Sequence, residues 1–141
     1  MFVSTISKQA PSNDNNCRVL VAEDEVLVRL MLADELRKSG FQVFEAVNAD
    51  EAIAIVKSVS LDVVVTDLHM RTAMDGLELA KYVRAHSPGV ALLLSSAHAI
   101  PISEGHAFDA FFIKPYDPQQ IVTWIRGRQA TQLGHADSDI A

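Results

Sequence analysis

Asp67 closes a run of β-branched residues, Val63-Val64-Val65-Thr66, and Glu23-Asp24-Glu25 follows a second strand-like run, Arg18-Val-Leu-Val-Ala22. Short apolar runs of this kind are the pattern of strands buried on both faces. Open α/β sheets hold their ligands beyond the carboxyl ends of such strands. Two strands delivering carboxylates to one edge would build a small acidic pocket, and crowded carboxylate oxygens suit a hard divalent cation. The same residues also serve plainer ends. Asp67 would fit a turn or a helix cap, and Glu23-Asp24-Glu25 would favour the first turn of a helix through its dipole, which is all that Glu25 alone is expected to do.

Holding those carboxylates takes a framework, and the chain alternates strand and helix from Arg18 onward. The first strand is predicted over Val19–Ala22. A helix over Glu25–Lys38 carries Val28, Leu32 and Leu36 at helical spacing and stops at Ser39-Gly40. Phe41–Glu45 alternates apolar and polar residues as a second strand would. Asn48 or Asp50 caps the next helix, with Ala49, Ile53 and Val56 on its inner face. Leu61–Thr66 is the third strand. A helix from Gly76 to His86 has Leu79 and Val83 on one face and ends at Ser87-Pro88-Gly89.

Val90–Leu94 and Asp109–Ile113 complete a set of five strands. The connection Ala97–Phe108 contains Pro101 and Gly105. Proline inside a helix costs about 3 kcal/mol, so the fourth helix is expected to be short or irregular. A last helix runs from Pro118 to about Arg128 with Ile121, Trp124 and Ile125 as its buried stripe. Strands alternating with helices imply an α/β fold with a parallel sheet covered on both faces. Right-handed crossovers leave the doubly wound order 2-1-3-4-5 as the best fit. The first and third strands are then neighbours, so Asp24 and Asp67 can share one cation.

Composition sets outer bounds. At 141 residues, 49% of them apolar, the chain has the size and make-up of one globular domain. A net charge of −6 argues against broad contact with nucleic acid or an acidic membrane. Cys17 is the one cysteine, which leaves no internal disulfide and no cysteine zinc cluster. Met1–Asn16 lacks the basic start and apolar run of a secretory signal, and no stretch is long and apolar enough to span a bilayer. The expected organisation is a flexible leader over 1–16, a folded domain over 17–128 and a flexible tail over 129–141, in a cytoplasmic protein.

In order along the chain, Val19-Leu-Val-Ala-Glu-Asp-Glu25, Thr66-Asp-Leu-His-Met70, Met74-Asp-Gly-Leu-Glu-Leu79, Leu94-Ser-Ser-Ala97 and Ile113-Lys-Pro115 resemble the signature segments of the bacterial response-regulator receiver domain. The match runs from about Arg18 to Arg128. It implies the flavodoxin-like receiver fold and a stand-alone receiver of a two-component system. It implies that Asp67 accepts a phosphoryl group from a sensor histidine kinase or a histidine phosphotransfer protein. Mg²⁺ would be held by Glu23, Asp24, Asp67 and the main-chain carbonyl of His69. Lys114 would contact the phosphoryl group, and Ser96 with Phe111 would switch a surface that binds a downstream protein target. Neither nucleic acid nor membrane is implied as a partner, and a homodimer stays open.

Some positions keep two readings. Ser95 and Ser96 would exchange roles on a one-residue strand slip. Phe111 could be ordinary core, since Phe112 takes the opposite face. His69 and His98, two residues after Asp67 and Ser96, would either tune the aspartyl-phosphate lifetime with pH or be plain solvated imidazoles. Arg71 stands where many members have proline, and the loop before Met74-Asp75-Gly76 is one residue longer than usual. The resemblance implies a module that catalyses only its own phosphorylation and dephosphorylation. Against it stand a pseudo-receiver that binds proteins without phosphorylation and, last, a haloacid-dehalogenase-type phosphatase, whose second acid is replaced here by His69.

Overall fold

A computed structural model describes residues 17–71, 74–99 and 108–140, those from 133 onward as backbone alone. The expected leader over 1–16 lies outside the described residues, as do Pro101 and Gly105 of the expected fourth helix. Strands are β1 (Arg18–Ala22), β2 (Gln42–Ala46), β3 (Val63–Asp67), β4 (Ala91–Ser96) and β5 (Ala110–Ile113). Helices among the described residues are α1 (Val26–Lys38), α2 (Ala49–Ser58), α3 (Gly76–His86) and α4 (Pro118–Ile140). The strands form one parallel sheet in the order β2-β1-β3-β4-β5, as the sequence predicts.

Alternation along each strand divides the core in two. Leu20, Val64, Leu92 and Leu94 face α2 and α3, where Ala52, Val56, Leu79 and Val83 are buried. Val19, Val21, Val63, Val65 and Leu93 face α1 and α4, meeting Leu32, Leu36, Ile121 and Ile125. Every residue of β3 is buried, so its unbroken apolar run reflects cover on both faces.

Local chemistry sets the helix ends. Asn48 Oδ1 accepts from Glu51 N at 2.9 Å while Glu51 Oε1 accepts from Val47 N at 2.9 Å, so each side chain satisfies a backbone amide at the start of α2. Asp75 does the same for α3, accepting from Glu78 N at 3.0 Å. Gly40 ends α1 at φ 96°, a left-handed turn that suits glycine.

Several strand ends shift by one or two residues from expectation, and two boundaries move for a clear physical reason. β4 continues through Ser95 and Ser96, because parallel pairing of Asp67 with Ser95 and of Ser96 with Ile113 carries the ladder past the apolar residues. α4 continues beyond Arg128 to Ile140, where the sequence expects a flexible tail from residue 129. Its exposed residues Ala130, Thr131 and Gln132 continue the helix without core contacts, and residues 129–140 contain no proline. None of the described helices is long and apolar enough to cross a membrane.

The register aligns the functional ends. Ala22 pairs with Thr66, so Glu23 and Asp67 each follow the last paired residue of adjacent strands. Gly76, opening α3, packs directly under this edge. A Cβ there would lie 1.9 Å from the Asp67 carbonyl oxygen and 2.9 Å from Leu68 Cα. Both are backbone atoms, so neither can swing aside. Helix propensity favours alanine over glycine by about 1 kcal/mol, yet Gly76→Ala is expected to destabilise by about 2–3 kcal/mol through this overlap. A denaturant midpoint equal to or above wild type would contradict the packing described.

Candidate functional site

Four charged groups meet at the carboxyl ends of β1, β3 and β5. Lys114, the residue after β5, places Nζ 2.9 Å from Glu23 Oε1, 3.1 Å from Glu25 Oε1 and 3.1 Å from Asp67 Oδ2. Glu23 and Asp67 are buried and Glu25 is exposed, so the group spans from the core to solvent. Oxygens of Glu23, Glu25 and Asp67 all lie within 4.8 Å of one another. The site opens into a cleft of about 470 Å³ also lined by Asp24, His69, Arg71 and His98.

Each position has a local cause. Glu23 N donates to Ala46 O at 3.0 Å, and Arg29 Nη1 donates to Glu23 O at 3.0 Å, pinning the β1–α1 turn. Arg29 is itself held by Glu45 at 3.1 Å. Glu25 N donates to Glu23 Oε2 at 3.1 Å. Past β3, Leu68 N donates to Ser95 O at 2.7 Å and His69 N to Asp67 Oδ1 at 3.3 Å. Lys114 N donates to Ser96 O at 2.8 Å, which aims the lysine back along the edge.

Asp24 and Glu25 exchange their expected places. Asp24 lines the cleft, but its Oδ2 accepts from Arg71 N at 3.0 Å and lies 3.8 Å from Arg71 Nε. Its carboxylate is therefore outside the tight cluster. Glu25, expected only to favour a helix dipole, precedes α1 in extended conformation and makes no side-chain cap. Glu25 N donates to Glu23 Oε2 and Lys114 Nζ bridges both carboxylates, so Glu23 and Glu25 converge while Asp24 is held by Arg71. Nothing in the sequence singles out Arg29.

The two serines separate by face. Ser96 follows Leu92 and Leu94 on the side of α2 and α3, the side that Phe111 also packs against. Ser95 and Phe112 belong to the opposite side, toward α1 and α4. Ser96 Oγ accepts from His98 N at 3.0 Å.

Electrostatics leave the site under-compensated. With all groups ionised, three carboxylates and one ammonium sum to −3 + 1 = −2. Burial pushes the Glu23 carboxyl up to about 7, Lys114 opposes this through its hydrogen bond, and the negative charge of Asp67 adds to the rise. For Lys114, burial works to lower the pKa, but the hydrogen bond and charge of Glu23, with those of Asp67, more than offset it and hold the ammonium charged. Tyr116 is raised to about 12, by burial first and then by the charge of Glu23. A deficit of two positive charges amid hard oxygen donors fits a magnesium-like dication.

Residues 19–126 match the response regulator receiver domain. The chain belongs to that family. This receiver is 31% identical over 110 residues to the chemotaxis protein CheY of Thermotoga maritima, covering 74% of this chain and 91% of that one. It is 28% identical to sporulation initiation phosphotransferase F of Bacillus subtilis, covering 75% and 88%. Against the transcriptional regulatory protein ResD of B. subtilis it is 26% identical and spans 54% of that protein's length. Among solved structures, the response regulator TrrA of T. maritima in complex with Mg²⁺-BeF superposes with a TM-score of 0.72 at 26% identity, covering 79% and 97% of the two chains. The chain is thus a receiver domain of two-component signalling with an acidic pocket at the sheet's carboxyl edge.

The raised Glu23 pKa sets a pH dependence. Between about pH 4.5 and about 7 the folded receiver keeps a proton on Glu23 that the unfolded chain has released. Folding therefore takes up a proton, and this group's contribution to stability falls as pH rises through that window. Without divalent cation, melting temperature between pH 5.5 and 8 (roughly one unit inside the lower edge of the window and one unit beyond its upper edge) should fall more for wild type than for Glu23→Gln. Parallel curves would contradict a Glu23 carboxyl raised by burial.

Proposed function

We propose that this receiver takes a phosphoryl group onto Asp67 from a sensor histidine kinase or a histidine phosphotransfer protein, with Mg²⁺ at the acidic cluster, and so switches a surface that binds a downstream protein. The observation that supports it most is Lys114 Nζ, 3.1 Å from Asp67 Oδ2 at the mouth of an open cleft. A carboxylate nucleophile is aligned there with a fixed positive charge.

An Asp67 carboxylate oxygen attacks the phosphorus of the donor's phosphoramidate. The new P–O bond forms as the P–N bond breaks, and its electron pair returns to the imidazole nitrogen, which takes up a proton. Glu23, Asp24, Asp67 and the main-chain carbonyl of His69 would hold Mg²⁺, and Glu25 stands within reach of the same position. Bound Mg²⁺ supplies positive charge that offsets the repulsion between carboxylate and phosphoryl oxygens. Lys114 adds its ammonium to that compensation. Ser96, on the face of the sheet shared with Phe111, would hydrogen-bond the phosphoryl group and draw the aromatic with it. The receiver then catalyses its own modification and its own dephosphorylation.

The second reading, a pseudo-receiver, rests on one observation: Asp24 is engaged by Arg71 rather than facing the cluster. Acetyl phosphate with Mg²⁺, followed by intact mass, separates the two. A single phosphoryl adduct is expected on wild type, none on Asp67→Asn, and none on wild type once chelator removes the cation. Lys114→Ala should slow labelling by about 100-fold. Wild type that stays unlabelled under saturating acetyl phosphate and Mg²⁺ would favour the pseudo-receiver.

A further inference from the structure

At the opening of the cleft, the rings of His69 and His98 meet edge-on, with centroids 6.0 Å apart and planes at 69°. The sheet brings them together. Asp67 pairs with Ser95, so short extensions of the adjacent strands β3 and β4 carry both imidazoles to one rim. Each backbone is tied down, His69 N to Asp67 Oδ1 and His98 N to Ser96 Oγ. Both residues are exposed, and neither ring has a part in the phosphoryl transfer proposed above.

The spacing has a specific meaning. Zinc–imidazole bonds of about 2.0–2.1 Å put two rings on one tetrahedral ion with centroids roughly 5–6 Å apart. The observed 6.0 Å lies at the wide end of that range, within a small side-chain rotation. Imidazole nitrogens select zinc, copper or nickel over magnesium, which prefers the oxygen donors deeper in the cleft. Mouth and floor therefore differ in the metal they favour.

We propose that His69 and His98 form a second metal site that takes a borderline dication such as Zn²⁺ across the mouth of the acceptor cleft. Water completes the coordination, since among the described residues no carboxylate groups with the two imidazoles. An ion so placed stands over Asp67 and obstructs an incoming phosphodonor, a consequence that rests on the phosphoacceptor reading; binding itself does not.

Titration of the full chain with Zn²⁺ against a chromogenic chelator, in excess Mg²⁺ to saturate the carboxylates, tests the site. One Zn²⁺ per chain is expected. His69→Ala and His98→Ala should each weaken binding by at least roughly tenfold, since losing a ligand costs no less than losing its outer-shell support. His86→Ala should bind as wild type does, and Asp67→Asn should still bind Zn²⁺ in a manner that depends on both histidines. Zn²⁺ affinity unchanged in both mouth variants, or lost only with Asp67→Asn, overturns the proposal. Acetyl phosphate labelling in zinc-free buffer reads the phosphoacceptor separately, so histidine-dependent zinc binding without labelling would remove only the inhibitory consequence.

Discussion

Lys114 holds its ammonium 2.9–3.1 Å from oxygens of Glu23, Glu25 and Asp67, and neither of the buried acids among them could be kept there alone. A buried, unpaired carboxylate costs several kcal/mol even after relaxation. The groups are held because three strand ends deliver them to one point. Register between β1 and β3 aligns Glu23 with Asp67, and Lys114 hydrogen-bonds back to β4 through its own amide. The parallel sheet with its two apolar faces fixes the spacing of those ends. Gly76 lets α3 start directly against the Asp67 backbone.

The same contacts leave the site unbalanced, and the imbalance connects structure to function. Burial first, and then the charge of Asp67, hold a proton on Glu23 up to about pH 7 despite the hydrogen bond from Lys114. A site at its electrostatic optimum would have little affinity for a dication. Here stability is given up locally, where a cation and then a phosphoryl group are expected to change the charge. Arg71 ties the loop after β3 to Asp24 across the cleft. Any ligand that recruits Asp24 shares that carboxylate with Arg71.

Much of this was legible in the residues because it rests on period and punctuation. The Val63–Val65 run, the Asn48 cap, the Ser39-Gly40 stop and Pro118 each act locally, and the sheet order followed from the alternation of elements. Polar residues blurred the carboxyl end of β4, since pairing and not hydrophobicity extends it through Ser96. The length of α4 was hidden for the converse reason: nothing in a polar segment signals helix when no core face repeats. At the site, Asp67, Glu23 and Lys114 converge as expected, whereas Asp24 and Glu25 trade positions. That exchange depends on one extended residue before α1 and on Arg71, and only three-dimensional geometry couples them.

The central claim is that these acidic groups form a cation site whose charge deficit is partly covered by a proton on Glu23. Calorimetric Mg²⁺ titration at about pH 6.5, near the raised carboxyl and run in buffers of different ionisation enthalpy, measures both halves at once. Saturable binding of one ion with net proton release is expected for wild type, binding without that release for Glu23→Gln, and strongly weakened binding for Asp67→Asn. Binding that is undiminished in Asp67→Asn, or wild-type binding that releases no proton, would contradict the account.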